Sequence, residues 1–293
     1  MIEQQLLNGI VTGSVYALFA LGFNLVLGAL NILNIAQGAI FTWGAFVGFY
    51  VVSKYALPFP VALALAMFAG GVINVLLEAL VFSPLRARGG DAMSTLVASI
   101  GASMVLVSLA QTVTEAQVVR FPFATLPEIQ WNVVGIRLTF TQVLVLVTTV
   151  LTMIGTYLLL QRSQLGKAIR SIAFNERTAK MLGIPTEAVA RWTFFISGAL
   201  GGLAGVLIGL MFSSVHFLIG EPYILKGFAA IVIGGFGSVV GVIVASMMLG
   251  LIEVFSTVIG FGALRDVITF GLLFLFLWFR PYGLFGKEED LRS

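Results

Sequence analysis

Two glutamates lie inside long apolar stretches of the sequence and are the first candidates for chemistry. Glu78 and Glu253 are the ionisable residues deepest in these stretches, and a charged side chain within a membrane span is costly enough that it usually has a function. Two isolated carboxylates are too few for a proton relay, so proton coupling gains little support. Because Glu78 precedes Arg86 by eight positions, the spacing favours an ion pair near one membrane face.

A group of amides interrupts the apolar pattern at residues 31–38. Asn31, Asn34 and Gln37 are followed by Gly38, and the spacing predicts Asn31 and Asn34 on one helical face. An amide without a partner in hydrocarbon costs several kcal/mol, so these side chains must pair with each other, with backbone or with a solute. Two interpretations stay open, namely hydrogen bonds between helices and a broken helix that lines a translocation pathway.

The segment 163–185 is basic and is punctuated by helix signals. Asn175 can cap a short helix, Gly183 can end it and Pro185 prevents its continuation. The segment therefore predicts two short helices with a face of small residues, which suits docking into a groove of another protein. An amphipathic loop on anionic lipid is the alternative. The small face comprises Ala168, Ile172, Ala173 and Ala179, and the basic residues Lys167, Arg170, Arg177 and Lys180 lie largely elsewhere.

Several kinds of chemistry are excluded by residue type. The chain has no cysteine and one histidine, His216, so no disulfide, thiolate nucleophile or multi-histidine metal site is expected. Gly166-Lys167 lacks the earlier glycine of a phosphate-binding loop, and Gly235-Phe-Gly237 lacks the third glycine of a dinucleotide turn. We predict no metal, no cofactor and no enzymatic activity, so any ATP that drives this protein must be hydrolysed by another chain.

The composition places these residues in a polytopic membrane protein. Hydrophobic residues make up 59% of the 293 positions and charged residues only 10%, against about 25% in soluble domains. We expect an all-α bundle of transmembrane helices, a single domain over 1–293, with about eight to ten membrane elements. The stretch 226–258 is too long for one crossing and predicts a break near Gly234, Gly235 and Gly237. Candidate spans are 6–29, 32–52, 59–82, 94–113, 139–160, 192–212, 226–258 and 264–279.

Basic residues predict the orientation of the spans. The loop 161–191 has six basic residues against two acidic ones, which predicts that it is cytoplasmic. The loop 83–93 and the C-terminal tail favour the same side, whereas 114–138 should face outward. The net charge of +3 suits membrane orientation more than binding to nucleic acid.

A faint internal repeat is also visible. A glycine-rich span at 9–28 precedes the polar break at 31–38, and a second at 198–209 precedes a break near 221–226. Each half then has one of the two buried-looking glutamates. Repeats of this kind, with broken helices, are usual in transporters.

Over nearly its whole length the sequence resembles the permease subunits of bacterial branched-chain amino acid ABC transporters, specifically the H-type (LivH-like) members. Ser83 stands where that resemblance leads us to expect a basic residue. The motifs that carry it are Asn8-Gly9 through Leu18, Asn34-Ile-Ala-Gln-Gly38, Pro84-Leu-Arg86, Ser99-Ile-Gly-Ala-Ser103, Gly166-Lys-Ala-Ile-Arg170, Ala179-Lys-Met-Leu-Gly-Ile184, Lys226 through Ser238, and Pro281-Tyr-Gly-Leu284.

The resemblance implies an importer of the bacterial inner membrane for leucine, isoleucine or valine. It implies a second, M-type permease, two cytoplasmic ATPases and a periplasmic binding protein as partners. The basic segment would be the ATPase-coupling loop, with Lys167, Arg170 and Asn175 in it, and with Ala173, Glu176, Ala179 and Gly183 seated in a groove of the ATPase.

Three alternatives remain at this point. Relatives in the same broad family move urea, amides, other amino acids or sugars, so the solute is open. A secondary carrier that uses Glu78 and Glu253 would need no ATPase. A membrane scaffold would not transport at all. Asn31, Asn34, Gln37, Gly38, Glu78 and Glu253 are the candidate lining of the translocation pathway.

Overall fold

A computed structural model describes residues 2–122, 127, 129–133, 136–280 and 283–285. Glu128 of the predicted outer loop, Pro281 and Tyr282 of the last motif and the predicted cytoplasmic tail 286–293 lie outside the described residues. The helices are α1 (Ile2–Leu30), α2 (Gln37–Ser53), α3 (Phe59–Leu77), α4 (Ser83–Ala87), α5 (Ala92–Val113), α6 (Phe140–Arg162), α7 (Gln164–Phe174), α8 (Glu176–Met181), α9 (Thr186–Met211), α10 (Glu221–Gly234), α11 (Val239–Ser256) and α12 (Arg265–Phe279).

Length and composition make six of the described helices able to cross a membrane. These are α1, the continuous helix of α3 and α4, α5, α6, α9, and α11 with its extension to Gly260. α2 is a shorter apolar helix. The expectation of an all-α, multi-pass membrane bundle is confirmed. One small addition is an antiparallel hairpin of β1 (Gln130–Val133) and β2 (Ile136–Thr139) in the segment predicted to face outward.

α1 and α9 form the centre of the bundle. Their most apolar stretches are 89% and 83% buried within the chain, against 11% for α5. Glycines allow this close packing, because a Cβ on Gly13 would lie 2.8 Å from the backbone of Met247 in α11. A Cβ on Gly198 of α9 would overlap the backbone carbonyl of Gly70 in α3. Small residues at such contacts are what brings membrane helices together.

The predicted break in 226–258 is present. α10 ends at Gly234, and α11 begins at Val239 with the Ser238 hydroxyl accepting a hydrogen bond from the Gly241 amide at 3.1 Å. Gly235 and Gly237 have φ values of 96° and 75°, a region that favours glycine. The glycines therefore turn the chain between two helices.

The predicted continuous span at 32–52 is wrong. α1 extends to Leu30, and residues 31–36 are not helical, so Asn31 and Asn34 do not share a helical face. Asn31 has a φ of 54°, which ends α1. The freed backbone is paired with Ser99 of α5, whose hydroxyl accepts from the Ile35 amide at 3.2 Å and donates to the Leu33 carbonyl at 3.2 Å.

The internal repeat takes the form of two inverted halves, but its second break lies at 212–220 and not near 221–226, where α10 begins. α1 packs against α11, and α9 packs against α3. In each half a long glycine-rich helix, a non-helical break and two further helices follow in order, as α1 to α3 and as α9 to α11. α1 and α9 run in opposite directions, since α2 lies antiparallel to α1 and parallel to α9. Both α3 and α11 continue into a π-helical turn, at Glu78–Phe82 and Thr257–Phe261.

Candidate functional site

Two of the three predicted amides, Asn34 in the break and Gln37 in α2, belong to a buried cluster with residues of α3 and α9. Asn34 donates to Asn74 Oδ1 at 3.1 Å, and Asn74 in turn donates to the Phe194 carbonyl at 2.8 Å. Gln37 donates to the Ser197 carbonyl at 2.9 Å. We call Asn34, Gln37, Asn74 and Ser197 the amide cluster, and all four are fully buried.

The amide cluster gathers only part of the predicted pathway lining. Asn31 is exposed in the break, away from the buried amides. Gly38 lies at the start of α2 against Gly220 and Ile224 of the α10 region. The role of these residues in lining a pathway stays a prediction. Sequence reasoning missed Asn74, although a lone amide in the apolar run of α3 was a usable signal.

Glu78 forms the ion pair that its spacing favours. It directly follows α3 as the first residue of the π-helical turn. Its Oε1 accepts a hydrogen bond from the guanidinium of Arg86 in α4. Glu78 is buried, whereas about a quarter of the Arg86 side chain, 27%, is exposed. The pair therefore neutralises a buried carboxylate with an arginine that reaches the surface.

Glu253 lies in a network that joins four helices. Its Oε1 is 2.7 Å from Lys226 Nζ, its Oε2 accepts from the Tyr16 hydroxyl at 2.5 Å, and Lys226 Nζ donates to the same hydroxyl at 3.0 Å. Arg265 and Asp266 stand beside this ring at the start of α12. We call Tyr16, Lys226, Glu253, Arg265 and Asp266 the charged cluster.

Lys226 is a functional candidate that sequence reasoning missed. It lies in the second turn of α10, is buried and has its ammonium 5.1 Å from the centre of the Tyr16 ring, within range of a cation–π contact. In the sequence it stood at the edge of a predicted span, where a lysine can reach water. The helix in fact begins at Glu221, after a break at 212–220, so Lys226 lies inside α10 and not at its edge. Pro222, which is typical of a first helical turn, was the signal that could have placed this start.

An aromatic layer borders the charged cluster where α1, α2 and α10 meet. The Tyr223 ring stacks on Phe41 with centroids 4.7 Å apart and meets Tyr16 edge-on at 5.6 Å. Phe19 contacts Phe41 at 5.7 Å. All four rings are buried, so aromatic side chains surround the Tyr16 end of the charged cluster.

The predicted coupling loop folds as two short helices. The hydroxyl of Ser163 caps α7 by accepting from the Gly166 amide at 2.9 Å, and Asn175 caps α8 by accepting from the Thr178 amide at 2.9 Å. Gly183 has a φ of 81° and follows the end of α8. The two-helix prediction is therefore confirmed.

The surface that this loop presents differs from the predicted one. Ala179 is only 2% exposed, because α8 folds back against α7 and α9, and it lies in the wall of a cleft between the two short helices. Ile172 is buried as well, whereas Ala173 and Glu176 are exposed. The projecting apolar residues are Phe174, Met181 and Leu182, and Phe174 is 93% exposed. We call these three residues the coupling surface.

Basic residues border the coupling surface. Lys167 and Arg170 line an open cleft of about 470 Å³ together with Phe174 and Leu182. Arg170 also donates to the Leu160 carbonyl near the end of α6, which ties α7 to a membrane helix. Within the described ranges, no group of three or more His, Cys, Asp or Glu residues is placed to hold a metal ion.

Comparison with known proteins identifies the family. Residues 5–277 match the family described as the permease component of branched-chain amino acid transport systems. The chain belongs to this family. The resemblance found in the sequence is thereby confirmed, and the chain is a multi-pass transport permease that works with other subunits of a transporter.

Two curated permeases of this family are similar over nearly their whole length. The high-affinity branched-chain amino acid transport system permease protein BraD of Pseudomonas aeruginosa is 33% identical over 98% of this chain and 96% of its own. The permease protein LivH of Escherichia coli K12 is 30% identical with the same coverage. Among solved structures, PsaBC from Streptococcus pneumoniae in complex with Fab aligns over 96% of this chain and 92% of that chain, with a TM-score of 0.52 and 14% identity. That last likeness extends to the fold alone.

Proposed function

We propose that this permease carries leucine, isoleucine and valine into the cell as one half of the membrane channel of an ATP-driven importer. The observation that supports this most directly is the similarity to two branched-chain amino acid permeases along 98% of the chain. The protein lies in the bacterial inner membrane, and its C-terminus and the loop 161–191 face the cytoplasm. The excess of basic residues in that loop supports this orientation.

The partners are a second, M-type permease, two cytoplasmic ATPases and a periplasmic binding protein. The sequence has no phosphate-binding loop of its own, which is consistent with ATP hydrolysis on separate subunits. The coupling surface supports an ATPase partner, because Phe174, Met181 and Leu182 project from a basic segment instead of packing inside the chain. Exposed apolar side chains of this kind are typical anchors of protein interfaces.

The position of the loop suggests how force reaches the bundle. α8 is joined to α9 by a short connection at residues 182–185, and α9 is a central, mostly buried helix. Movement of α7 and α8 upon closure of the ATPases would therefore displace α9 against α2 and α3. Such coupling is a difference in free energy between two states of the bundle, to which both ATP and solute contribute.

The secondary-carrier alternative has less support. Glu78 Oε1 is paired with Arg86, and Glu253 with Lys226, so each carboxylate already has a cationic partner, although Glu78 Oε2 has no hydrogen-bond partner among the described residues. The side chains of the amide cluster likewise form their hydrogen bonds with protein groups. Within this cluster, Asn34 Oδ1 is the atom without a hydrogen-bond partner among the described residues.

Reconstitution tests the proposal. The chain is co-expressed with the transporter subunits encoded beside it, purified and placed in liposomes with ATP on the ATPase side. We expect uptake of labelled leucine that requires the binding protein, the ATPase and ATP, and no uptake by the chain alone. Uptake without an ATPase would favour the carrier, and ATP-dependent uptake of urea or another solute in place of leucine would contradict the solute.

A further inference from the structure

The charged cluster has more partners than a static ion pair needs. We propose that Lys226, Glu253 and Tyr16 are positioning residues of the transport cycle and form a gate that opens by exchange of partners. In the described state they hold α10 against α1 and α11. In the open state Glu253 pairs with Arg265, Lys226 pairs with Asp266, and α10 moves away. The proposal rests on the proposed function.

The closed arrangement satisfies each polar group of the gate. One carboxylate oxygen of Glu253 accepts from Lys226 at 2.7 Å and the other accepts from Tyr16 at 2.5 Å. All three residues are buried and come from three different helices. Apolar residues of similar volume often replace a buried ion pair without loss of stability, so stability alone does not account for it.

A second partner of the correct sign stands next to each charge of the pair. Arg265 Nη1 lies 3.7 Å from the same Glu253 oxygen that Lys226 contacts, and Asp266 Oδ1 lies 3.8 Å from Lys226 Nζ. The side chains of Arg265 and Asp266 are 52% and 58% exposed. The pair can therefore separate without leaving a buried charge alone, which is the costly outcome when an ion pair is broken.

The backbone on both sides of the gate is irregular. α10 is preceded by the non-helical residues 212–220 and is followed by Gly235, with a φ of 96°. The alternative partners follow the π-helical turn Thr257–Phe261 and Gly260, with a φ of 94°. Short α10 can thus move as a unit, and irregular turns of this kind often mark hinges or functional sites.

A purely structural pair predicts a different pattern of sensitivity. It needs Lys226, Glu253 and Tyr16, but the half-exposed Arg265 and Asp266 could be neutralised without effect on uptake. A gate that exchanges partners needs both Arg265 and Asp266 in order to open, although the closed state needs neither of them. Neutral variants of the two exposed residues therefore separate the two explanations.

Thiol labelling reports the state of the gate. The chain contains no cysteine, so Ser256→Cys at the buried end of α11, one turn beyond Glu253, gives it a single thiol. The complete transporter in nanodiscs is treated with a water-soluble maleimide, at rest and after trapping with ATP and vanadate. We expect slow labelling in the resting state and labelling about tenfold or more faster in the trapped state, as for a coupled conformational change.

Asp266→Asn and Arg265→Gln then test the exchange of partners. We expect the resting protection of Ser256→Cys and the melting temperature to be unchanged, while the faster labelling of the trapped state is reduced. Leucine uptake should fall by about two- to fivefold, the effect of a half-exposed ion pair. Arg120→Gln, on an exposed residue of the segment predicted to face outward, is the matched control and should leave uptake and labelling as they are.

Two results overturn the gate. One is equal labelling of Ser256→Cys in the two states, and the other is full uptake by both neutral variants. Failure of the proposed function looks different, because the unmodified transporter then shows no ATP-dependent uptake of leucine. The gate is still decided in that case by the difference in labelling between the two states.

Discussion

Gln37 and Ser197 exchange two hydrogen bonds across the contact between α2 and α9. The Gln37 amide nitrogen donates to the Ser197 carbonyl at 2.9 Å, and the Ser197 hydroxyl donates to the Gln37 amide oxygen at 3.2 Å. Both residues are fully buried. The reciprocal pair fixes the first turn of α2, just after the break at 31–36, to the central helix of the second half.

Replacement of this amide should destabilise the bundle. Gln37→Leu removes both bonds and leaves the Ser197 hydroxyl without its acceptor, so we expect a loss of about 1 to 2 kcal/mol, near the upper end for hydrogen bonds between membrane helices. Unfolding of the purified transporter in detergent measures it, with Gln111→Leu at the exposed end of α5 as control. Loss of uptake at unchanged stability would contradict this structural role and favour the pathway role predicted for Gln37.

Glycine packing between the two halves gives a second prediction. Gly198→Ala places a Cβ against the Gly70 carbonyl, where backbone atoms on both sides resist movement, so we expect a net loss of about 1 to 3 kcal/mol from overpacking. Gly155→Ala is the matched control, because a Cβ there meets open space on α6. It should be neutral or stabilising by up to about 1 kcal/mol. Equal melting temperatures for the two variants would show that the contact between α3 and α9 yields more easily than the geometry indicates.

Local signals in the sequence predicted much of this fold. The positions of six long spans follow from hydropathy, the turn at Gly235 and Gly237 from glycine, and the two helices of the coupling loop from their caps. The polar residues of 31–38 indicated a break after α1, but the late start of α2, at Gln37 instead of residue 32, was not predictable in this way. The backbone of the break is held by Ser99, 64 residues beyond Ile35, and no local pattern reveals a partner so distant.

The site residues also divide into those with a partner nearby in the sequence and those with a distant partner. The partner of Glu78 was predictable, because Arg86 is eight residues away. The partners of Glu253 were not, since Lys226 is 27 residues away and belongs to another helix, and Tyr16 joins them from 210 residues before Lys226. The burial of Ala179 was not predictable either, because only the packing of α8 against its neighbours decides which face of a short helix is covered.

The coupling surface should contribute to partner binding and hardly at all to folding. Phe174→Ala removes a side chain that is 93% exposed, so we expect its stability to stay within about 0.5 kcal/mol of the original. Loss of an aromatic anchor should weaken ATPase binding by about 2 kcal/mol or more, and uptake should fall with it. Co-purification of the ATPase measures this. Phe274→Ala, at an exposed position of α12, should retain the ATPase. Full ATPase binding by Phe174→Ala would mean that docking uses another surface.

The Glu78–Arg86 pair predicts unequal effects of removing either partner. Arg86→Leu strands a buried carboxylate, so we expect a loss of about 3 to 5 kcal/mol. Glu78→Gln leaves an arginine that already reaches solvent, so its cost should be clearly smaller. The double variant should recover much of the stability lost in Arg86→Leu, because no buried charge then remains. Unfolding of the four proteins in detergent completes a double-mutant cycle. Uptake should follow stability across the set. A stable Glu78→Gln protein that no longer transports would assign Glu78 to the translocation pathway, as the carrier alternative requires.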